Sequence, residues 1–147
     1  MNIKIIMLSV LFSCFMFSSS YANDEKIGSL RKVAGDNDIV RNNETIKAAN
    51  GLEIYQNDLI TTKDGGSLGI IFNDNSRISL GPNSKLKVTK YVYNPSKKKF
   101  SMLTKMLKGS AAFTSGKLSK LSPESVKIET PNATIGSRGT TFLVTVE

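Results

Sequence analysis

Histidine and tryptophan are absent from the 147-residue sequence, and cysteine occurs only once. Without histidine the chain has no imidazole for general-base catalysis, for Ser-His-Asp or Cys-His nucleophile systems, or for imidazole-ligated metal sites. We therefore expect no enzymatic activity, no metal and no other cofactor. The 39% hydrophobic and 22% charged fractions are typical of an ordinary globular domain.

The N-terminus has the pattern of a secretory signal peptide. Met1–Lys4 carry positive charge, Ile5–Phe17 are almost wholly apolar, and a small-x-small sequence ends at Ala22. We expect residues 1–22 to be cleaved, which leaves one domain at 23–147 without any cysteine.

Two alternatives to cleavage remain open. The segment could stay as an anchor, although its apolar run of about 13 residues is short of the roughly 20 that cross a bilayer. Leu11–Cys14 could serve as a lipobox, but Phe12 is bulky where a small residue is wanted. We expect no stable membrane span after cleavage, and export to the periplasm of a Gram-negative envelope.

Charge is unevenly distributed along the remaining chain. Asn23–Ser76 contains 6 basic and 9 acidic residues, whereas Arg77–Glu147 contains 13 and 3. A strongly basic segment favours an anionic partner. Because we expect export, we predict that the partner is an unidentified envelope protein or an anionic polymer, not a nucleic acid.

Short apolar and polar alternations separated by Gly, Asn, Asp and Pro predict an all-β domain. A hairpin is expected around the turn Asn73–Ser76. Met102–Lys108 is predicted to be a strand, with a single amphipathic helical turn as the alternative, and Ser115–Ser125 a loop with a short turn at Leu118–Leu121. The remaining predicted strands are Gly28–Val33, Asp38–Arg41, Leu59–Thr62, Ser67–Phe72, Arg77–Leu80, Ser84–Thr89, Val126–Glu129 and Thr141–Val146.

Five sequence elements, in order, resemble those of the FecR domain family. The most specific is the last, which resembles the family signature TP-x-a-x-x-g-x-R-GT-x-F. Asparagine stands where the family usually has glycine at Asn57 and Asn75. The five elements are Asn57–Thr62, Ser67–Ser76, Leu80–Ser84, Leu107–Gly109 and Thr130–Phe142.

The resemblance implies a single elongated domain of short antiparallel or solenoid-like strands, either a twisted β-solenoid or a β-sandwich. It also implies a set of family-motif residues whose role we expect to be structural. For example, Asp58 and Asp74 can accept backbone N–H bonds at turns, and Pro131 ends the strand before it. The motif residues are Asp58, Ile60, Thr62, Asp74, Ser76, Ser84, Gly109, Thr130, Pro131, Gly136, Arg138, Gly139, Thr140 and Phe142.

FecR proteins of full length are signal transducers with a cytoplasmic segment that controls a sigma factor, a membrane helix and a periplasmic region. Only four residues precede the hydrophobic stretch here. The resemblance therefore implies a stand-alone exported domain that acts as a protein-interaction or signal-sensing module. The alternative is a protein that binds an anionic envelope polymer or ligand through its basic second half.

Two features allow a functional as well as a structural interpretation. Arg138 could hold an anionic ligand. Alternatively, it could pair with an acid such as Asp58 or Asp74 or cap strand-end carbonyls, and we favour this structural role. Lys97, Lys98 and Lys99 could contact an anionic partner, or they could form a solvated hairpin tip. Charged tips and edges help β proteins to avoid association.

Overall fold

The computed structural model describes residues 24–136, 139 and 141–147. The predicted signal peptide, residues 1–22, lies outside these residues, as do Arg138 and Thr140. Within the described part of the chain, no helix is both long enough and apolar enough to cross a membrane.

Twelve strands and one short α-helix are defined among the described residues. A single 3₁₀ turn, Pro123–Ser125, follows the helix. The elements are β1 Lys26–Ala34, β2 Asn37–Arg41, β3 Glu44–Lys47, β4 Glu53–Tyr55, β5 Leu59–Thr62, β6 Ser67–Phe72, β7 Arg77–Leu80, β8 Lys85–Asn94, β9 Lys99–Thr114, α1 Lys117–Leu121, β10 Val126–Glu129, β11 Thr134–Gly136 and β12 Thr141–Val146.

The strands form one curled sheet, a half-barrel, in the order β3-β2-β5-β8-β9-β7-β6-β1-β4. The long strand β9 joins its two halves. The first part of β9 pairs with β8 and, in parallel, with β10, whereas its last part pairs with β7 and β12. The other strand pairs are antiparallel.

β9 changes direction at Gly109, whose φ of +86° lies in the left-handed region. A Cβ atom at this position would stand 2.6 Å from Ser84 Cα and 2.7 Å from Asn83 O. Glycine is therefore required for two reasons: the backbone conformation is left-handed, and the segment before β8 approaches too closely for a side chain. This bend allows one strand to serve both halves of the sheet.

The core lies on the inner face of the curled sheet and follows the period-two pattern of the strands. In β6, for example, Leu68, Ile70 and Phe72 are buried, while the alternating residues are partly exposed. α1 contributes Leu118, which is fully buried. The helix thus adds an apolar side chain to the core that the strands form.

The all-β prediction is confirmed, and several strands match it residue for residue, including the β6–β7 hairpin. Met102–Lys108 is a strand, so the alternative of a helical turn is wrong. Met102 and Met106 are both buried because an even spacing places them on one face of a strand, and Leu107 between Met106 and Lys108 is exposed.

Three strands were missed, and one loop prediction was incomplete. β3 lies in a polar stretch, and β4 and β11 have only three residues each, too few to show alternation. The predicted loop Ser115–Ser125 contains α1 and the 3₁₀ turn, although the short turn expected at Leu118–Leu121 falls within α1.

We predict that Gly109→Ala lowers the free energy of unfolding by about 3 kcal/mol or more, because left-handed strain and overpacking act together. Gly51→Ala is the control, since Gly51 has a φ of +83° but a Cβ added there would meet no atom within 4 Å. It should cost about 1–2 kcal/mol. Urea denaturation measures both values, and equal losses would contradict the steric role assigned to Gly109.

Candidate functional site

The motif residue Asp58 is fully buried and ties three segments together. Its two carboxylate oxygens accept hydrogen bonds from Arg41, from Nε at 2.8 Å and from an Nη atom at 2.7 Å. Oδ2 also accepts the backbone N–H of Tyr55 at 2.9 Å. The Arg41 guanidinium lies over the Tyr55 ring, 4.5 Å from its centroid. Hydrogen bonding to Asp58 raises the pKa of Arg41.

Asp74 forms a second buried centre at the β6–β7 turn. Its carboxylate accepts four hydrogen bonds: the N–H and the hydroxyl of Ser76, the Tyr91 hydroxyl at 2.9 Å, and the N–H of Leu118 at 3.0 Å. The turn, β8 and α1 therefore meet on a single carboxylate. Burial, followed by the negative charge of Asp74, raises the pKa of Tyr91, so the phenol remains a donor.

The third centre surrounds Ser84, beside the bend in β9. Ser84 Oγ accepts the N–H of Ser110 at 3.0 Å, and the Ser84 N–H donates to Thr62 Oγ1 at 2.9 Å. Thr62 Oγ1 in turn donates to the carbonyl of Gly81 at 2.5 Å. Hydrogen bonds thus connect Thr62 and Ser84 to Ser110, the residue that follows Gly109.

The two asparagines that replace family glycines both have left-handed backbones. Asn57 has a φ of +72° and Asn75 a φ of +65°. Asparagine is the residue other than glycine that tolerates this region best. Both asparagines therefore adopt a backbone conformation that glycine adopts without strain.

The last motif element is a turn and two edge strands. Thr130 closes a turn after β10: its N–H donates to the carbonyl of Ala133 at 2.8 Å, and its Oγ1 accepts the Ala133 N–H at 3.0 Å. Pro131 occupies the second turn position, where its fixed φ is favourable. Phe142 packs against Phe113, with ring centroids 5.2 Å apart.

The predicted partners of Arg138 already bind other groups. Asp58 is held by Arg41, and Asp74 by four donors. Arg138 itself lies outside the described residues. A Cβ at either Gly136 or Gly139 would meet no atom within 4 Å, so close packing does not explain these two glycines.

Three of the nine acids in the first half of the chain pair with lysines of the same half. Lys63 lies 2.9 Å from both Asp36 and Asp38, and Lys47 contacts the same two carboxylates. Hydrogen bonds from these lysines lower the pKa values of Asp36 and Asp38. Lys26 pairs with Glu53 at 3.2 Å.

Lys97, Lys98 and Lys99 are exposed at the β8–β9 hairpin, as predicted for a solvated tip. Asn94 Oδ1 caps the turn by accepting the Lys97 N–H at 3.1 Å. None of these three lysines has an ion pair with a described carboxylate.

The edge strand β12 differs from the other edges of the sheet. It has six residues without a charge, and in the described part of the chain its backbone pairs only with β9. Leu143 on β12 is 70% exposed. The other edges are short or charged: β4 and β11 have three residues each, and β3 carries Glu44 and Lys47. An uncharged edge of this length is a template for strand pairing.

A cavity of about 610 Å³ opens beside the start of β12. Its lining includes Thr114, Ser119, Lys120, Pro123 and Thr141. Lys120 is the one ionisable side chain among its described lining residues. No group of three or more acidic or thiol side chains suited to a metal ion occurs among the described residues.

Sequence reasoning missed two central residues. Arg41 stands at the end of a predicted strand with no partner indicated, and Tyr91 is notable in the sequence only as an aromatic near lysines. Each meets its carboxylate across 17 positions of chain, and such a distant pairing leaves no local signal. A buried carboxylate needs hydrogen-bond donors. Predicting that Asp58 and Asp74 are buried would therefore have indicated that each requires a donor from elsewhere in the chain.

The fold is thus an all-β domain whose motif side chains hold turns together inside a curled sheet. A family model described as FecR protein matches residues 58–147. The chain belongs to the FecR family, and membership suggests a signalling or sensing role. The search of curated proteins found no match, and neither did the search of solved structures.

We predict that Asp74→Asn lowers the free energy of unfolding by about 2–4 kcal/mol. The NH2 group of asparagine cannot accept the hydrogen bonds that one carboxylate oxygen of Asp74 accepts, so buried donors would lose their acceptor. The matched control is Asp64→Asn, at an exposed turn residue, with an expected change within about 0.5 kcal/mol. Urea denaturation of both variants is the measurement. A loss at Asp74 no larger than that at Asp64 would contradict the role of the buried carboxylate.

Proposed function

We propose that this chain is an exported, non-enzymatic sensing domain that binds a partner protein through the edge of β12 that no described strand covers. The partner adds a strand to the sheet, so that backbone hydrogen bonds provide affinity and alternate side chains provide specificity. The uncharged edge of β12 is the observation that carries the proposal. Periplasmic localisation and cleavage at residue 22 belong to the same proposal.

The arrangement of the motif residues supports a binding function over a catalytic one. Asp58, Asp74 and Ser84 are fully buried and hydrogen bonded to neighbouring segments. A catalytic acid or nucleophile must reach a substrate, whereas these groups are engaged in holding turns. Function is then carried by the surface of the sheet.

The contrast between edges supports β12 as the binding surface. β3 and β4 carry charged residues that discourage edge-to-edge association. β12 has no such protection, and Val144 fixes it firmly against the core with 5% exposure. A rigid and unprotected strand can accept another strand without first having to fold.

A photocrosslinking side chain at Thr145 tests the proposal in cells that express the full chain. Thr145 is exposed on β12, and Thr45, exposed on the charged strand β3, is the matched control position. We expect a discrete protein adduct from position 145 in the periplasmic fraction and none from position 45.

Adding Leu143→Lys should weaken that adduct about tenfold or more, because lysine on an edge opposes strand pairing. Leu143 is 70% exposed, so the substitution should leave the folded structure intact, which circular dichroism checks. Identical adducts from positions 145 and 45, or adducts that Leu143→Lys leaves unchanged, would contradict strand addition at β12.

A further inference from the structure

Six lysines lie on the outer face of the sheet, on β8, β9 and β10. On β8 and β9 the residues that alternate with them, such as Leu86, Val88 and Met106, point into the core. We call this surface the lysine face. It consists of Lys85, Lys87, Lys90, Lys105, Lys108 and Lys127.

Two lysine pairs on this face stand directly opposite each other across neighbouring strands. Lys87 is the register partner of Lys105, and Lys85 is the partner of Lys108. Like charges at such positions destabilise a sheet. A local arrangement that opposes folding is typical of a functional surface.

Few acidic side chains of the described residues neutralise the lysines of this face. Glu129 contacts Lys105 at 3.6 Å, and the other five lysines of the face pair with no described carboxylate. In the first half of the chain, by contrast, Lys26, Lys47 and Lys63 all have acidic partners. Six of the thirteen basic residues of the second half thus lie on one surface, and five of these six have no acidic partner among the described residues.

The lysine face spans three neighbouring strands. On β8 its lysines run from Lys85 to Lys90, a distance of roughly 17 Å at the rise of a β-strand. The exposed hairpin tip at Lys97–Lys99 follows the end of β8. Two groups of lysines, the face and the hairpin tip, therefore lie along the direction of β8 with four uncharged residues of β8 between them. A linear polyanion is long enough to contact both groups, whereas a compact ligand is not.

The chemistry of the face also narrows the class of polymer. Its cations are all lysines, which act as point charges and lack the planar fork of arginine. Tyr93 and Phe100 pack against the core, so the outer face of β8 and β9 offers no aromatic platform for stacking bases. Together these features favour a carboxylated polysaccharide over a single-stranded nucleic acid.

We propose that the lysine face binds an anionic polysaccharide along β8 and β9. This site is separate from the edge of β12, so either surface can fail its test without affecting the other. Because the attraction acts between exposed charges, it weakens as ionic strength rises.

Binding of polygalacturonate to the purified protein, measured by calorimetry, tests the site. The face variant Lys85→Gln/Lys87→Gln should lose about tenfold or more in affinity at about 20 mM salt. The control Lys117→Gln/Lys120→Gln removes the same charge from exposed residues of α1 and should change affinity by less than about twofold. At about 200 mM salt the wild-type and face-variant affinities should converge.

A second readout separates this site from a merely structural role. Removing one lysine from each opposed pair relieves repulsion, so the face variant should melt about 1–4 °C higher than the wild type while binding less tightly. Equal affinity loss in both variants, no salt dependence, or tighter binding to phosphatidylglycerol vesicles than to polygalacturonate would each overturn the proposal.

Discussion

The bend of β9 at Gly109 is the constraint on which the rest of the structure depends. β9 supplies hydrogen bonds to β8 and β10 before the bend and to β7 and β12 after it. Ser84 lies against the glycine and accepts the N–H of Ser110. Since there is no room for a side chain at the bend, the two halves of the sheet can share one strand only with glycine there. Gly109 thus determines how β9 passes from one half of the sheet to the other.

The buried carboxylates of Asp58 and Asp74 stabilise the turns of the sheet. Asp58 and Asp74 each accept hydrogen bonds from backbone groups that the turns would otherwise leave without partners. Leaving a buried donor unpaired costs about 1–3 kcal/mol, so these residues determine where the chain turns. Among the described residues, the FecR motif therefore serves mainly to fix the turns of the fold. The binding that we propose then falls to exposed surfaces of the sheet, the edge of β12 and the lysine face.

Much of the fold could be predicted from the sequence because alternation is a local signal. Strands such as β6, β7 and β10 show it over four to six residues, and asparagine at a turn indicates positive φ. Contacts across distant parts of the chain could not be predicted in this way. The pairing of Arg41 with Asp58 and the opposition of Lys87 to Lys105 depend on strand order and register, which composition does not specify. The excess of positive charge was visible in the sequence, whereas the position of six of these lysines on one face needed the structure.

Native-state hydrogen exchange tests most directly whether the motif residues hold the fold together. The amides of Tyr55, Ser110 and Leu118 donate to the side chains of Asp58, Ser84 and Asp74. We predict that these three amides exchange only through global unfolding, with the same free energy as the core strands. The Lys97 amide, at the exposed hairpin tip, should exchange through local opening. Exchange of the three motif-bound amides at a free energy several kcal/mol below the global value would contradict the account.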